Sequence, residues 1–174
     1  MDARRESEPA PMKDRTTTQR TSERELVITR TFNAPARVVF EAWTRADLFQ
    51  RWWVPKSIGM SLLSCELDVR TGGRYRLVFA LEGTDGVAFF GSYLEVTPPS
   101  RIVWTNEEAA DGGSITTVTF EEQEGRTLLT VHELYPSKEA LDEAIASGAP
   151  SGMPEQLDQL EELLFTLVAG SGQS

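Results

Sequence analysis

Residues 30–55 read RTFNAPARVVFEAWTRADLFQRWWVP, and this stretch decides the architecture. The residues leading into it, Glu25 to Phe32, are rich in β-branched side chains and place Leu26 and Ile28 in alternation, which predicts a strand. Pro35 suits the first turn of a helix, where an N–H would go unbonded in any case. Ala36, Val39, Phe40 and Trp43 then recur at helical spacing and give that helix one apolar face. A second short helix is expected over residues 46–52. Three of the four tryptophans fall in this one region. Rings of that size define either a core or the wall of a pocket. Neighbours at a helix end diverge, so one of Trp52 and Trp53 is expected in the core and the other toward a cavity or solvent. Trp43 and Trp53 are the candidates for the wall.

Downstream the period changes to two. Residues 64–69 and 74–81 flank Arg70-Thr71-Gly72-Gly73, whose paired glycines permit a tight hairpin. Residues 86–96, 101–107, 115–122 and 127–134 read as four more strands. Their connections at Pro98-Pro99-Ser100, at 109–113 and at Glu124-Gly125 are too short for parallel crossovers. Tyr75, Leu77 and Phe79, like Leu129 and Val131, share one face of that meander, so the sheet has a dry side that needs a cover. The cover is C-terminal. Residues 138–147 are helical, and after a Gly/Pro break Met153, Leu157, Leu160, Leu164 and Leu167 form a stripe at spacings of four, three, four and three. Glu155, Asp158, Glu161 and Glu162 make an acidic opposite face, expected in solvent. The economical packing is an α+β arrangement: a curved antiparallel sheet of about six or seven strands wrapped around the long C-terminal helix, with two short helices after the first strand.

Residues 1–24 are polar and charged, lack aromatics, and are expected to be a disordered tail preceding one domain over 25–170. Six of the 17 basic and five of the 27 acidic side chains lie in that tail, so the remainder carries 11 basic against 22 acidic groups. A body that acidic repels phosphate backbones and anionic bilayers, which argues against nucleic acid and membrane partners. No apolar run approaches the ~20 residues that span a bilayer. The N-terminus lacks the apolar segment of a secretory signal, and the single cysteine, Cys65, matches a reducing compartment; a cytoplasmic location is expected.

The motifs RTFNAPARVVFEAWT, RWWVP, DVRTGGRYR, GSYLEVTPPSRIVWT, TTVTF and GRTLLTVHE follow one another in a familiar order and spacing. Over residues 25–168 the chain resembles the START-like (SRPBCC) superfamily, in the branch similar to activators of the ninety-kilodalton heat-shock protein's ATPase. The resemblance implies a helix-grip fold with a cavity between the sheet and the C-terminal helix. It also implies a possible chaperone contact, although the separate chaperone-binding domain of the eukaryotic co-chaperones has no counterpart in the polar tail. Bacterial relatives often carry Gly-Trp at the start of the final helical stretch. Gly152-Met153 stands there in this chain, so a flexible thioether replaces an indole.

Candidate chemistry is sparse. His132, the only histidine, alternates to the outer face of its strand and so away from any interior site. Glu133 has the opposite parity, points inward and is the one weak catalytic candidate, a carboxylate whose pKa burial would raise. Cys65 has no activating neighbour. Glu66, Asp68, Arg74 and Arg76 alternate on two adjacent strands and are expected to pair across them on the outer face. The chain contains no Cys/His cluster at ligand spacing, no nucleophile elbow and no phosphate-cradling loop, so neither metal nor cofactor is expected. The strand aromatics placed to reach the interior are Tyr75, Phe79, Phe89, Tyr93 and Trp104. With Trp43, Trp53, Glu133, Met153, Leu157 and Leu160 they compose the expected ligand cavity. The expected function is binding of a small hydrophobic or amphipathic ligand by a monomer or homodimer. Two alternatives stand beside it: a START-like enzyme of the cyclase, dehydratase or hydrolase kind, with Glu133 and Tyr75 or Tyr93 as its acid/base pair, and a chaperone-associated interaction protein.

Overall fold

The computed structural model describes residues 16–58, 61–107, 113–148 and 152–172; the expectations for residues 1–15 and for the 108–112 turn fall outside that range. The order along the chain is β1 (Thr17–Arg20), β2 (Glu25–Phe32), α1 (Ala36–Thr44), α2 (Ala46–Phe49), a 3-10 turn (Lys56–Ile58), β3 (Leu62–Leu67), β4 (Arg74–Phe79), β5 (Val87–Thr97), β6 (Arg101–Thr105), β7 (Ile115–Gln123), β8 (Arg126–Leu134), α3 (Lys138–Ser147) and α4 (Met153–Gly172). The described strands form one antiparallel sheet in the order β1-β2-β8-β7-β6-β5-β4-β3. Strands β3 to β8 are the expected meander, and β2 joins its far end beside β8. No helix among the described residues is long and apolar enough to cross a membrane.

The sheet has one strand more than expected. Thr17–Arg20, counted in the tail on sequence, pairs with β2 from Thr17↔Thr29 to Arg20↔Leu26. All four of its residues are exposed, so it carries no apolar alternation to betray it, and polar side chains suit an edge that must not recruit other strands. Arg20 fastens this strand to α3 through Asp142 at 2.8 Å.

Curvature comes from two register shifts, one in the β3–β4 pair and one between Tyr93 and Glu95 in the β5–β6 pair. Extra residues at such points bend the strand and strengthen its twist. Gly91 is the tight spot of β5: a Cβ there would stand 1.9 Å from the Thr105 carbonyl oxygen and 2.9 Å from the Tyr75 ring. Only glycine lets β6 and the Tyr75 side chain approach that closely.

The concave face is apolar. Ile28, Phe32, Val118, Phe120, Leu129 and Val131 of the sheet join Val39, Phe40 and Trp43 of α1 and Leu157, Leu160 and Leu164 of α4 in one buried cluster. Trp52 is fully buried and donates its indole N–H to the Ala42 carbonyl at 2.9 Å. Helix α1 begins after Pro35, and the Ala36 N–H is capped at 3.0 Å by the Glu122 carboxylate from β7. That acid meets the positive end of the helix dipole.

The acidic side of α4 is not the solvated face its sequence suggests. Asp158 and Glu161 both accept from Arg30, whose side chain is fully buried on the inner face of β2 between Ile28 and Phe32. Glu155 accepts from the Ser57 N–H at 2.9 Å and hydroxyl at 2.6 Å, and of the four acids only Glu162 is exposed. The outer-face charges also pair differently from expectation. Glu66 and Arg76 do stand opposite each other in register, but Arg74 reaches Glu107 at 3.2 Å and Asp68 bonds Arg70 at 3.0 Å.

Removing both counter-charges, Asp158→Asn with Glu161→Gln, leaves a guanidinium buried without compensation. The unfolding free energy is expected to fall by about 3–5 kcal/mol. Adding Arg30→Met removes the stranded charge and is expected to restore much of that loss. Urea unfolding of the double and triple variants checks this; a triple variant less stable than the double would show that the buried charge is not the source of the cost.

Candidate functional site

A cavity of about 1200 Å³ lies between strands β3 to β6, the inward residues of β2, β7 and β8, the α1–α2 segment, helix α3 and the first turn of α4. Its wall is aromatic. The rings run in sequence from Trp53 to Trp43 (6.0 Å between centroids), Trp104 (5.9 Å), Tyr75 (6.4 Å) and Tyr93 (5.8 Å). Phe79 and Phe89 extend the wall at 5.3 Å from one another, Phe89 standing at 40% exposure toward the rim. The divergence expected of the tryptophan pair is present: Trp52 enters the core and Trp53 lines the cavity.

Trp43, Trp53, Tyr75, Phe79, Phe89, Tyr93, Trp104, Glu133 and Met153 all line this space. Leu157 and Leu160 do not. Both are fully buried in the packed core, because α4 contributes only Met153, Glu155 and Gln156 of its first turn to the wall. The remainder of the cover is α3, through Ala140, Glu143 and Ala144. The cavity therefore lies beyond the N-terminal end of α4 rather than along its length.

The position of α4 is set by amide groups the sequence did not single out. Gln159 donates to the carbonyls of Trp52 and Val54 at 2.9 Å each and accepts from the Lys56 N–H at 2.8 Å. Gln156 donates to the Trp53 carbonyl. These bonds fix the tryptophan segment against the helix and hold Trp53 at the cavity wall.

One end of the cavity is polar. The Tyr75 hydroxyl lies 2.8 Å from the Thr105 carbonyl oxygen and 3.2 Å from Asn106 Oδ1. Asn106 Nδ2 lies 3.0 Å from Ser114 Oγ and 3.1 Å from Thr116 Oγ1. The Ser114 and Thr116 hydroxyls come next to the Glu133 carboxylate and favour its charged form, Thr116 being its register partner across β7 and β8. A connected polar path thus runs from β4 to β8 along the cavity lining. Asn106, Ser114 and Thr116 were legible by parity: Asn106 continues the inward face of Trp104, and Thr116 that of Val118 and Phe120. Their convergence on Glu133 depends on inter-strand register, which no single strand encodes.

Burial pushes the Glu133 carboxyl up to about 7, against the opposing pull of the Thr116 and Ser114 hydroxyls. Desolvation penalises the charged form, and two neutral donors do not offset it. Burial, with the Glu133 charge as a second cause, pushes the Tyr135 phenol up to about 12, and burial drives the Tyr93 phenol higher still. The Cys65 thiol, half-buried outside the cavity lining, is pushed up to about 11 by burial, which keeps it protonated. His132 stays off the cavity and pairs with Glu25 at 3.1 Å. Of the expected acid/base partners, Tyr75 connects toward Glu133 through Asn106 and the Ser114 and Thr116 hydroxyls.

In the unfolded chain Glu133 gives up its proton near pH 4.3, while in the fold it holds it to about pH 7. Between those values the folded state carries the extra proton, so rising pH removes stability across that window. Glu133→Gln is expected to raise the Tm at pH 8, by about 2–4 °C per kcal/mol of charge penalty removed, and to lose that advantage at pH 5. Calorimetric melts at the two pH values measure the difference, and an equal gain at both would contradict the raised proton affinity.

A family model described as Activator of Hsp90 ATPase homolog 1-like protein matches residues 33–164. Among solved structures, a protein from Rhodobacter sphaeroides superposes with a TM-score of 0.78 at 23% identity, covering 87% of this chain and 99% of that one. A protein from Staphylococcus epidermidis gives 0.72 at 28% identity, covering 86% and 94%. An AHSA1-like protein from Aeromonas hydrophila gives 0.63 at 20% identity, covering 85% and 95%. A comparison with functionally curated proteins found no match. The helix-grip arrangement, the order of its motifs and the span of the family match agree, and the chain belongs to the Activator of Hsp90 ATPase homolog 1-like family of the START-like superfamily.

Proposed function

We propose that this protein binds a small hydrophobic or amphipathic molecule in the cavity between its sheet and its C-terminal helices. The observation that carries the reading is the cavity itself: about 1200 Å³ walled by nine aromatic side chains, eight from the α1–β3 region and strands β4, β5 and β6 and the ninth, Tyr135, just after β8. Ligand sites are concave, mainly apolar, and carry few polar groups at fixed places. Here those groups are gathered at one end, on Tyr75, Asn106, Ser114, Thr116 and Glu133. Burial of a ligand's apolar surface against the rings would supply roughly 25 cal/mol per Å² removed from water, and the polar end would set its direction. The acidic surface and the single unpaired cysteine are in keeping with work in a reducing, cytoplasmic setting.

A catalytic reading draws on one observation, a carboxyl that titrates near neutrality inside a pocket, as a general acid or base requires. It assigns Glu133 the proton transfer. The binding reading needs no transfer and rests on the whole wall.

Ala144 faces the cavity from α3, and Ala144→Phe would fill part of the space with a ring while leaving the packed core untouched. A neutral solvatochromic dye is expected to bind the wild type and quench its tryptophan fluorescence, and to lose at least about tenfold in affinity with this variant, equivalent to about 1.4 kcal/mol. The Tm is expected to change little. Dye binding that is absent from the wild type, or unaffected by the phenylalanine, counts against the cavity as a binding site.

A further inference from the structure

The cavity's charge is of one sign. Its charged lining residues are Glu133 in the interior, Glu143 on α3 and Glu155 on α4, and no lysine, arginine or histidine lines it among the described residues. The folded body around it is itself strongly acidic. A carboxylate or phosphate headgroup entering here would meet repulsion with no compensating cation, in a place where desolvation makes that repulsion costly.

The hydrogen-bond inventory of the polar end points the same way. The Asn106 amide N–H groups are directed at Ser114 and Thr116, and its amide oxygen lies against the Tyr75 hydroxyl. The hydroxyls of Ser114 and Thr116 are directed at Glu133. A carboxylate offers about four acceptor positions, more than these two hydroxyls can fill. At Glu133 the unused capacity is therefore acceptor capacity, and a ligand head placed there must bring donors; the unpartnered donor of the wall is the Trp43 indole N–H. The faces of Trp43, Trp104 and Tyr75 stand in the same wall, and aromatic faces attract cations.

We propose that the cavity selects a cationic amphipath, an apolar tail lying along the aromatic wall and a protonated amine head placed at Glu133. This rests on the reading of the cavity as a ligand site and names the chemical class that site takes. The groups around Glu133 make the preference depend on pH. From β7 it meets Ser114 and Thr116, and from β2 its register neighbour is the apolar Leu26. Tyr135 follows it on its own strand, Tyr75 of β4 reaches it through Asn106, and Glu143 of α3 shares the cavity. The Tyr135 phenol is neutral at ordinary pH, and none of these elements adds a cation to the lining among the described residues. A bound ammonium is then the counter-charge that lets the carboxyl ionise, and its binding tightens as pH rises through neutrality.

Three ligands of equal chain length, dodecylamine, dodecanol and dodecanoate, separate the outcomes when titrated calorimetrically below their aggregation concentrations. At pH 8 the amine is expected to bind at least about tenfold more tightly than the alkanoate, with the alcohol between them. A long-chain ammonium stays protonated well above pH 8, as lysine does, so a several-fold gain in amine affinity from pH 6 to pH 8 reports the protein's carboxyl. Glu133→Gln is expected to collapse the ratio of amine to alcohol affinity toward one and to remove its pH dependence. Ala144→Phe is expected to abolish amine binding; binding that survives it is attraction to the acidic surface and overturns the proposal. An alkanoate bound as tightly as the amine, equal affinity for all three heads, or a ratio unchanged in Glu133→Gln also overturns it while leaving the cavity a ligand site. Failure of the wild type to bind any of the three overturns the broader reading as well. Should Glu133→Gln not fold, the wild-type pH profile decides alone, a flat amine affinity between pH 6 and pH 8 being the negative result.

Discussion

A guanidinium with no access to water holds this molecule in its shape. Arg30 occupies a position on β2 that by alternation belongs to the core, between Ile28 and Phe32, and its side chain is wholly buried. Two carboxylates three residues apart on α4, Asp158 at 2.5 Å and Glu161, meet its two terminal nitrogens, while the Phe32 ring lies 5.5 Å from its central carbon. A buried charge is tolerated only where opposite charge is delivered to it in good geometry. Here that requirement fixes both where α4 crosses β2 and how the helix is rotated about its axis. With Asp158 and Glu161 committed to β2, Leu157, Leu160 and Leu164 turn into the core, and Gln156 and Gln159 are left to bind the tryptophan segment.

The cavity follows from that placement. Helix α4 packs over β2, β7 and β8 through Leu157, Leu160 and Leu164, and only its first turn reaches the cavity. Helix α3 bridges the remaining gap without descending into it, Leu141 being its one fully buried side chain. The rings that line the space are too rigid to collapse inward. Each is fixed by edge or tilted contacts to the next, and Tyr75 is further held by its hydroxyl against the Thr105 carbonyl. Proteins usually close-pack their interiors; here the curvature at the two register shifts keeps the walls apart.

Much of this was legible in the sequence, and what was not has a common cause. Period-two alternation placed Tyr75, Leu77 and Phe79, Leu129 and Val131, and even the polar Glu133 on the inner face, because parity is a property of one strand. The same parity placed Arg30 inward, yet charge suggests solvent, and periodicity cannot say that a counter-ion waits 128 residues away. The acidic stripe of α4 was misread for the mirror-image reason. A helix face composed of Glu and Asp looks solvated until the opposite sheet offers a buried cation. Strand β1 escaped because a polar edge strand has no apolar rhythm, and the Asn106–Ser114–Thr116–Glu133 path because it joins residues through register alone.

Arg30 is wholly buried and Glu133 is half-buried at the cavity wall, and the protein treats these two ionisable groups differently. The arginine is answered by two full negative charges, and the result is a fastening between sheet and helix. The glutamate is answered only by hydroxyls, so its surroundings disfavour its charge and raise its proton affinity. For holding the fold, leucine at that inward position would serve better: it would add apolar contact to Leu26 and Val131 and remove a desolvation cost. Three further polar side chains are arranged around this one carboxyl, each displacing an apolar residue that would pack the same space. Groups that weaken the structure where they stand, and converge inside a cavity, are what the proposed ligand site requires. The contrast separates the two roles within a single sheet. Where the protein supplies the counter-charge, the buried ion is architecture; where it withholds one, the position is open to a charge from outside.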